Sequence, residues 1–430
     1  MRVLHLAAVP SFTGAAEPAF DLARGLRALG VDVELFADNR RVGNFRGILD
    51  AHGFRANPKL VLSTKAGPLA WLGDFLELRR SFIDFEVVHT HLSHDHGLAA
   101  LASRCVGRSS SSRSPFAASE PKSAPSQRRH RPLIVRTIHA ARGLDPSFGR
   151  RLLLQRGADG LVVASHDEVR FLEEALKEAH GRDSARGGDD GHRLSRPRGD
   201  SDGRRVDIYP ERVLVLPGAV DAQRFHPDPD ARGRVRRSLA ISKTDFAIGC
   251  VARFQAGRRH ELMIEALAQA RVNHPEIKLV LIGHGERESA LRALAEQAAP
   301  LGAIVFAGYH REDLNDYLAA MDAAVWLVPG NDATSRAVLQ AMAVALPVVG
   351  GRRGAIAEAV LEGETGVLVD PDAAEDIARG FTQLAELPDR GRCWGGAGRA
   401  RVLTAYDLSS RAQQLLVFYE RLIRVASTAP

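Results

Sequence analysis

Short apolar runs alternate with stretches of helical periodicity almost from end to end of this chain. That alternation predicts parallel β-sheets covered by helices on both faces. Runs at residues 3–9, 31–37, 87–91, 133–139, 160–165 and 212–217 predict the strands of one doubly wound domain. A second set, at 246–252, 278–283, 303–308, 323–329, 346–350 and 366–369, predicts another. Helical periodicity fills residues 16–29, which Gly30 closes, and returns at 231–239, 261–270 and 335–345. The last helix, at about 409–426, carries Leu415, Leu416, Phe418, Tyr419, Leu422 and Ile423 on one broad apolar stripe, the face by which a helix docks.

Length agrees with this division, because 430 residues exceed one ordinary core and suit two domains. The expected boundaries are 1–222 for the first domain, 223–407 for the second and 408–430 for the closing helix. Hydrophobic residues at 45% and charged residues at 26% are ordinary for a soluble globular chain. Two stretches depart from that composition, about 107–131 and 180–206. Both are built of Ser, Gly, Pro and charge, have little to bury, and are expected to be disordered inserts. They hold much of the basic excess behind the formal charge of +6. The charge favours acidic partners such as a diphosphate or an anionic membrane surface. Nucleic acid is not expected as a partner, since no recognised module or interleaved aromatics accompany the basic stretches. Cys105, Cys250 and Cys393 are too scattered and too few for a disulfide framework or a zinc pattern, which fits a reducing cytoplasm. The apolar start, residues 3–9, is too short to span a membrane and reads as the first strand.

Candidate chemistry concentrates where predicted strands end. The run at 323–329 leads into Asn331, Asp332, Ala333 and Thr334, polar residues that start a helix beginning at Ser335. The free N–H groups and positive dipole of such a helix start stabilise an anion. At the exit of the first strand of the second domain stand Arg253 and Arg258, the edge at which open α/β sheets hold ligands. Two arginines at a helix start also suit a plain solvated surface. Gly283-His284-Gly285 follows the next strand, but Glu288 occupies the third glycine position of a dinucleotide fingerprint, so a nicotinamide site is not supported.

The segment from Asp332 to Gly366 resembles the signature of glycosyltransferase family 4, retaining enzymes of GT-B architecture. Two Glu eight positions apart flank a helix start there, and this chain has Asp332 and Gln340. Ala341-Met342-Ala343, Leu346-Pro347-Val348-Val349, Gly354-Ala355-Ile356-Ala357-Glu358 and Gly363-Glu364-Thr365-Gly366 match the flanks in register. The resemblance implies two Rossmann-like domains facing a central cleft, with the last helix crossing back to the first domain. It implies a sugar moved from a nucleotide-sugar donor to a hydroxyl acceptor, a sugar or glycolipid, with retention and without a metal or other cofactor. Arg253 and Arg258, the latter where Lys is usual, would neutralise the departing diphosphate. Asp332 would contact the donor sugar. Gln340 would hold the ribose by its amide in place of the usual carboxylate. Thr334 and Ser335 would line the phosphate end, Gly283 and Gly285 would turn beside the nucleotide, and Glu358 would stand near the sugar. Gly14, in the loop where the family has two glycines and this chain has Gly14-Ala15, would allow close approach of backbone to donor. His139 would face the reacting sugar from the acceptor side. A solvated carboxylate at Glu358 and a plain loop residue at His139 are the bland readings. Cytoplasmic residence, peripheral contact with the inner face of an anionic membrane, and a role in building envelope polysaccharide or glycolipid follow as family-level expectations.

Two other readings remain. Gln340 in place of an acid suits a sugar-nucleotide-binding protein that has lost catalysis. His91-Leu92-Ser93-His94-Asp95-His96 nearly spells the dizinc motif of metallo-β-lactamase-like hydrolases, with Ser93 at one ligand position. The family resemblance instead makes those histidines the lining of an acceptor cleft.

Overall fold

A computed structural model describes the chain except residues 13–15, 39, 55–56, 64–66, 107–130, 140–152, 155, 175–209, 330–334, 388, 390 and 429–430. Gly14, Asp332, Thr334 and nearly all of both low-complexity stretches therefore lie outside the described residues. Two compact units form, residues 1–216 with 412–430 and residues 217–411.

Unit 1 is built on a six-stranded sheet in the order β2-β1-β3-β4-β5-β6. Its strands are β1 (Arg2–Ala7), β2 (Asp32–Ala37), β3 (Val87–Thr90), β4 (Leu133–Ile138), β5 (Gly160–Val163) and β6 (Val213–Val215), every pair parallel. Among its helices are α1 (Ala16–Ala28), α2 (Phe45–Ala51), α3 (Pro68–Ser81) and α4 (Ser93–Arg104). Alternation along β1 shows why the sheet needs cover on both sides. Val3 and Ala7 join one core, whereas Leu4 and Leu6 join another on the opposite face.

Unit 2 carries strands β7 (Phe246–Val251), β8 (Ile277–Ile282), β9 (Ile304–Gly308), β10 (Ala323–Trp326), β11 (Val348–Gly351) and β12 (Gly366–Val369), in the order β12-β11-β10-β7-β8-β9. All pairs are again parallel. The helices that matter for the site are α5 (His260–Ala270), α6 (Arg336–Ala343) and α7 (Gly354–Ala359). Phe246, Ile248 and Cys250 of β7 face one core and Ala247 the other. The order reverses between β7 and β10, and such a switch point leaves a crevice at the carboxyl ends of the strands.

The last helix, α8 (Leu408–Thr428), belongs to unit 1 from Ala412 onward. Ala412, Leu415, Phe418, Tyr419 and Leu422 are buried in the core beside β1 and β3, with Leu416 and Ile423 at its margin. A Cβ at Gly160 would come within 2.6 Å of Leu422 Cδ1 and 2.9 Å of Phe418 Cζ, so the missing side chain on β5 makes room for this helix. The division into units falls at 216/217 and 411/412, a few residues from the expected 222/223 and 407/408. Val220 bridges to Asp407, and its N–H donates to the Tyr406 carbonyl at 3.0 Å, which keeps residues 217–222 with unit 2.

Candidate functional site

Five stretches of unit 2 meet at the carboxyl edge of its sheet. Arg253 follows β7 and is exposed, while Arg258, two residues before α5 begins, is half-buried. Arg258 Nη1 donates to the Pro329 carbonyl at 2.9 Å, so one guanidinium joins the exits of β7 and β10 across the switch point. The start of α7 lies against the same proline, since a Cβ on Gly354 would sit 3.3 Å from Pro329 Cγ. On the other side the turn after β8 backs directly onto the Arg253 loop. Phe254 N–H donates to the His284 carbonyl at 3.0 Å, and Arg287 N–H donates to the Phe254 carbonyl at 3.1 Å. A Cβ on Gly283 would fall 2.1 Å from Ala252 O and one on Gly285 2.3 Å from Phe254 O, so both glycines permit backbone contact. Their place in the fold is to hold the Arg253 loop.

Helix α6 supplies the fifth stretch. Ser335, its N-cap, sits at φ +50°, a left-handed conformation that costs a serine on the order of 1–3 kcal/mol. Its Oγ is buried without a hydrogen-bond partner among the described residues. The strain is stored directly after residues 330–334 and at the positive end of the helix dipole. Gln340 lies on α6, half-buried. Glu358 lies on α7, half-buried, and its backbone carbonyl accepts from Arg401 Nη2 at 3.0 Å. The structure thus brings Arg253, Arg258, Gly283 and Gly285 to one edge of unit 2 with Ser335 at the start of α6, whereas Gln340 and Glu358 lie a turn further along α6 and α7. His139 belongs to unit 1.

Basic residues flank this edge further. Asp372 pairs with both Arg259, at 2.7 Å, and Arg353, whereas Arg287 pairs with Glu261 at 2.8 Å. Sequence reasoning did not single out His260, which opens α5 fully buried and meets Phe254 edge-on at a centroid distance of 5.2 Å. Burial pushes its imidazole down to about 4, so it is neutral packing that braces the Arg253 loop. Cys250, beneath that loop, is pushed up to about 12 by burial and is no nucleophile.

In unit 1, His139 is half-buried at the exit of β4, its ring 5.9 Å from that of His91. Of the histidines expected to line a cleft, His91 and His96 are buried, 0% and 1% exposed, and His94 is half-buried. His91 is two residues beyond His89, which lies opposite His5 in the sheet register, so all three share one face under α8. His5 Nδ1 and His91 Nε2 are 3.0 Å apart, His89 Nδ1 meets the Tyr419 hydroxyl at 2.6 Å, and His89 Nε2 meets Thr137 Oγ1 at 2.6 Å. Among the described residues these three are the one group with metal-capable atoms within 4.8 Å of one another, and only His91 belongs to the dizinc-like motif. The His89 and His91 rings are stacked, 4.6 Å apart at 23°, so their in-plane lone pairs do not converge on a common ion. The cluster is a hydrogen-bonded core network, and burial holds all three imidazoles well below their ordinary range, His5 at about 3.

Asp95, also in that motif, accepts from the Ala8 N–H at 3.1 Å through Oδ2. Burial raises its carboxyl from 3.8 to about 7, with the N–H and Arg136 opposing. The folded chain therefore keeps a proton that the unfolded chain releases, and stability falls as pH rises from about 4 to 7. Asp95→Asn keeps an acceptor for Ala8 and has no charge to desolvate. It is expected to exceed the parent in urea stability by ~1–3 kcal/mol at pH 8 and to match it near pH 4. An equal difference at both pH values would show that Asp95 is not the titrating group.

Comparison with known proteins adds a second line of observation. Residues 12–182 match the family model Glycosyltransferase Family 4, and residues 231–401 match the model Glycosyl transferases group 1. The chain is 31% identical over 209 residues to a GDP-mannose-dependent alpha-(1-6)-phosphatidylinositol monomannoside mannosyltransferase of Mycolicibacterium smegmatis, covering 46% of this chain and 54% of that protein. It is 33% identical over 204 residues to a D-inositol 3-phosphate glycosyltransferase of Acidothermus cellulolyticus, covering 43% of each. The chain thus spans about half the length of the curated relatives it matches. Among solved structures, Anabaena HepE in complex with UDP and glucose superposes with a TM-score of 0.72 at 17% identity, over 98% of this chain and 99% of that one. A glycosyltransferase from Rickettsia africae gives 0.74 at 15% identity, over 98% and 99%. These likenesses concern the fold, and the two parallel-sheet units are those of the GT-B architecture.

Proposed function

This chain belongs to glycosyltransferase family 4, and on that premise we propose that it is a retaining glycosyltransferase that takes a sugar from a nucleotide-sugar donor bound at the carboxyl edge of unit 2. The observation that carries the reading is the bond from Arg258 to the Pro329 carbonyl, which fixes a cation at the switch point where a diphosphate would lie. Arg253 on the same loop and the α6 start, with a Ser335 Oγ that has no partner among the described residues, complete a set of donors for developing negative charge. Such a set stabilises the leaving diphosphate without a metal ion. Asp332 and Thr334, next to Ser335 in sequence, are assigned to the donor sugar and phosphate, Gln340 to the ribose and Glu358 to the sugar. In unit 1, Gly14 and His139 are assigned to the reacting groups, with a hydroxyl of a sugar or glycolipid as acceptor. Work at the cytoplasmic face of an anionic membrane, in polysaccharide or glycolipid assembly, completes the proposal. The relatives named for GDP-mannose make it the first donor to test, and UDP-glucose the second, because HepE was captured with UDP. Thermal-shift screening against both, followed by release of nucleoside diphosphate in the presence of a chelator, tests the reading. Turnover that needs an added divalent ion would remove its metal-independent part.

Gln340 favours a second reading, a donor-binding protein without turnover. A hydrogen bond to a charged acceptor is stronger than one to an amide. Gln340→Glu is therefore expected to tighten nucleotide binding by about 1 kcal/mol, with turnover level or higher, and Gln340→Ala to weaken it. Calorimetric titration of the three proteins decides the point. Identical affinities would remove Gln340 from the site.

A further inference from the structure

Helix α3 is turned the wrong way round for a helix on a soluble surface. Leu69, Leu72, Leu76 and Ile83 recur at helical spacing along it and just beyond its end, and they are 86%, 47%, 39% and 47% exposed. The face toward the protein holds Leu78 and, unexpectedly, Asp74, which is 1% exposed. Asp74 accepts from the backbone N–H groups of Val61 at 2.6 Å and Leu62 at 2.9 Å, which pins the helix in this rotation. Trp71 is exposed on the flank, stacked on Phe75 at 6.0 Å. Five of the fourteen exposed large hydrophobic side chains of the described residues thus fall between Leu69 and Ile83, a density that marks a docking face rather than scatter.

Charge decides what covers it. Arg79 and Arg80 end α3, and the neighbouring α4 exposes Leu101 and ends at Arg104. Arg79 Nε donates to the Cys105 carbonyl at 3.0 Å, which draws the two helix ends together, while Arg104 Nη2 donates to the Arg156 carbonyl at 2.6 Å. Glu77, 3.9 Å from Arg80, and the exposed Asp84 beside Ile83 offset part of that charge. An anionic bilayer takes both parts, with the leucines in the acyl boundary, Trp71 at headgroup level and the arginines on the phosphates.

We propose that the outer face of α3, with Leu101 and Arg104 of α4, is the surface by which this protein docks on anionic lipid. The assignment rests on the membrane contact contained in the reading above and gives it an address. A crossover helix runs antiparallel to the strands it joins, so Leu69 and Leu72 lie toward the edge where β3 and β4 end and His139 stands. A lipid-anchored acceptor held on this face would meet that edge.

The test uses the full chain and sedimentation with vesicles of phosphatidylcholine alone or with phosphatidylglycerol. The parent is expected to bind the anionic vesicles and to be released by salt. Leu72→Ser combined with Leu76→Ser should lower partitioning at least about tenfold, and Arg80→Ala combined with Arg104→Ala by about fivefold or more, with a shallower salt dependence. Val272→Ser, on an exposed apolar side chain of unit 2, should change nothing. Circular dichroism checks each fold, and Leu69→Ser, at the most exposed position of the stripe, serves if the double variant is unstable. Equal vesicle binding by parent and leucine variants would overturn this surface while leaving membrane contact standing. No binding by the parent would overturn both. A parent dimer that the leucine substitutions dissociate, without vesicle binding, would give the face to a second copy. Nucleotide thermal shifts, unchanged throughout, keep these outcomes separate from the donor reading.

Discussion

Arg258→Ala is expected to lower donor turnover by on the order of a hundredfold or more, and Arg253→Ala by a similar factor. When the bond between sugar and diphosphate breaks, negative charge grows on the phosphate oxygens. A guanidinium already fixed in place stabilises that charge without reorganising. Arg258 is fixed by its bond to the Pro329 carbonyl, and a guanidinium matches a phosphate in planar, bidentate geometry. The loss should therefore fall mainly on kcat, with a smaller change in KM. Arg258→Lys should recover only part of it, because an ammonium keeps the charge but cannot span Pro329 and a phosphate in the same geometry. Arg253 is exposed, so Arg253→Ala should change stability by no more than about 0.5 kcal/mol, whereas Arg258→Ala also loses the bond to Pro329 and should cost about 1–2 kcal/mol. Near-normal turnover in both single variants would end the assignment of the diphosphate to this edge. If the parent binds donor without turning it over, the same variants should still lose nucleotide affinity.

The twelve strands were legible because each is a short apolar run bounded by turn residues, mostly buried and only half-buried in the edge strands β6 and β9, a signal that survives without any alignment. Gly283 and Gly285 were legible as a turn. Their reason, the Ala252 and Phe254 carbonyls behind them, exists only in three dimensions. The same holds for Arg258, whose link to Pro329 joins positions 71 residues apart. The imidazole network escaped for a different cause. His5, His89 and His91 meet only through the register of β1 against β3, and Tyr419 reaches them from the far end of the chain. Helix α3 escaped because periodicity reports that a stripe exists without saying which way it faces. The buried carboxylate of Asp74 reverses the usual orientation, and nothing in residues 68–81 alone announces it.

The closing helix was legible as a docking stripe, and its energetics give the second large effect. Phe418 is 2% exposed in the core of unit 1 and lies against Gly160, whose absent side chain leaves the ring its space. Phe418→Ala removes the ring and leaves a cavity that a sheet strand and a helix cannot close by small shifts, so a loss of about 3–5 kcal/mol is expected. Tyr419→Phe, by contrast, keeps the ring and deletes only the hydroxyl that meets His89 Nδ1 at 2.6 Å. It should cost about 1–3 kcal/mol, since a buried imidazole nitrogen is left without its partner. The comparison separates packing from hydrogen bonding at adjacent positions of one helix. Because Phe418 contacts unit 1 and the donor edge belongs to unit 2, nucleotide affinity measured well below the unfolding transition should be unchanged in Phe418→Ala. Urea denaturation followed by circular dichroism reads the stability and calorimetry the affinity. A loss below about 1 kcal/mol for Phe418→Ala would mean that the helix frays from the sheet in solution, and that the core of unit 1 closes without it.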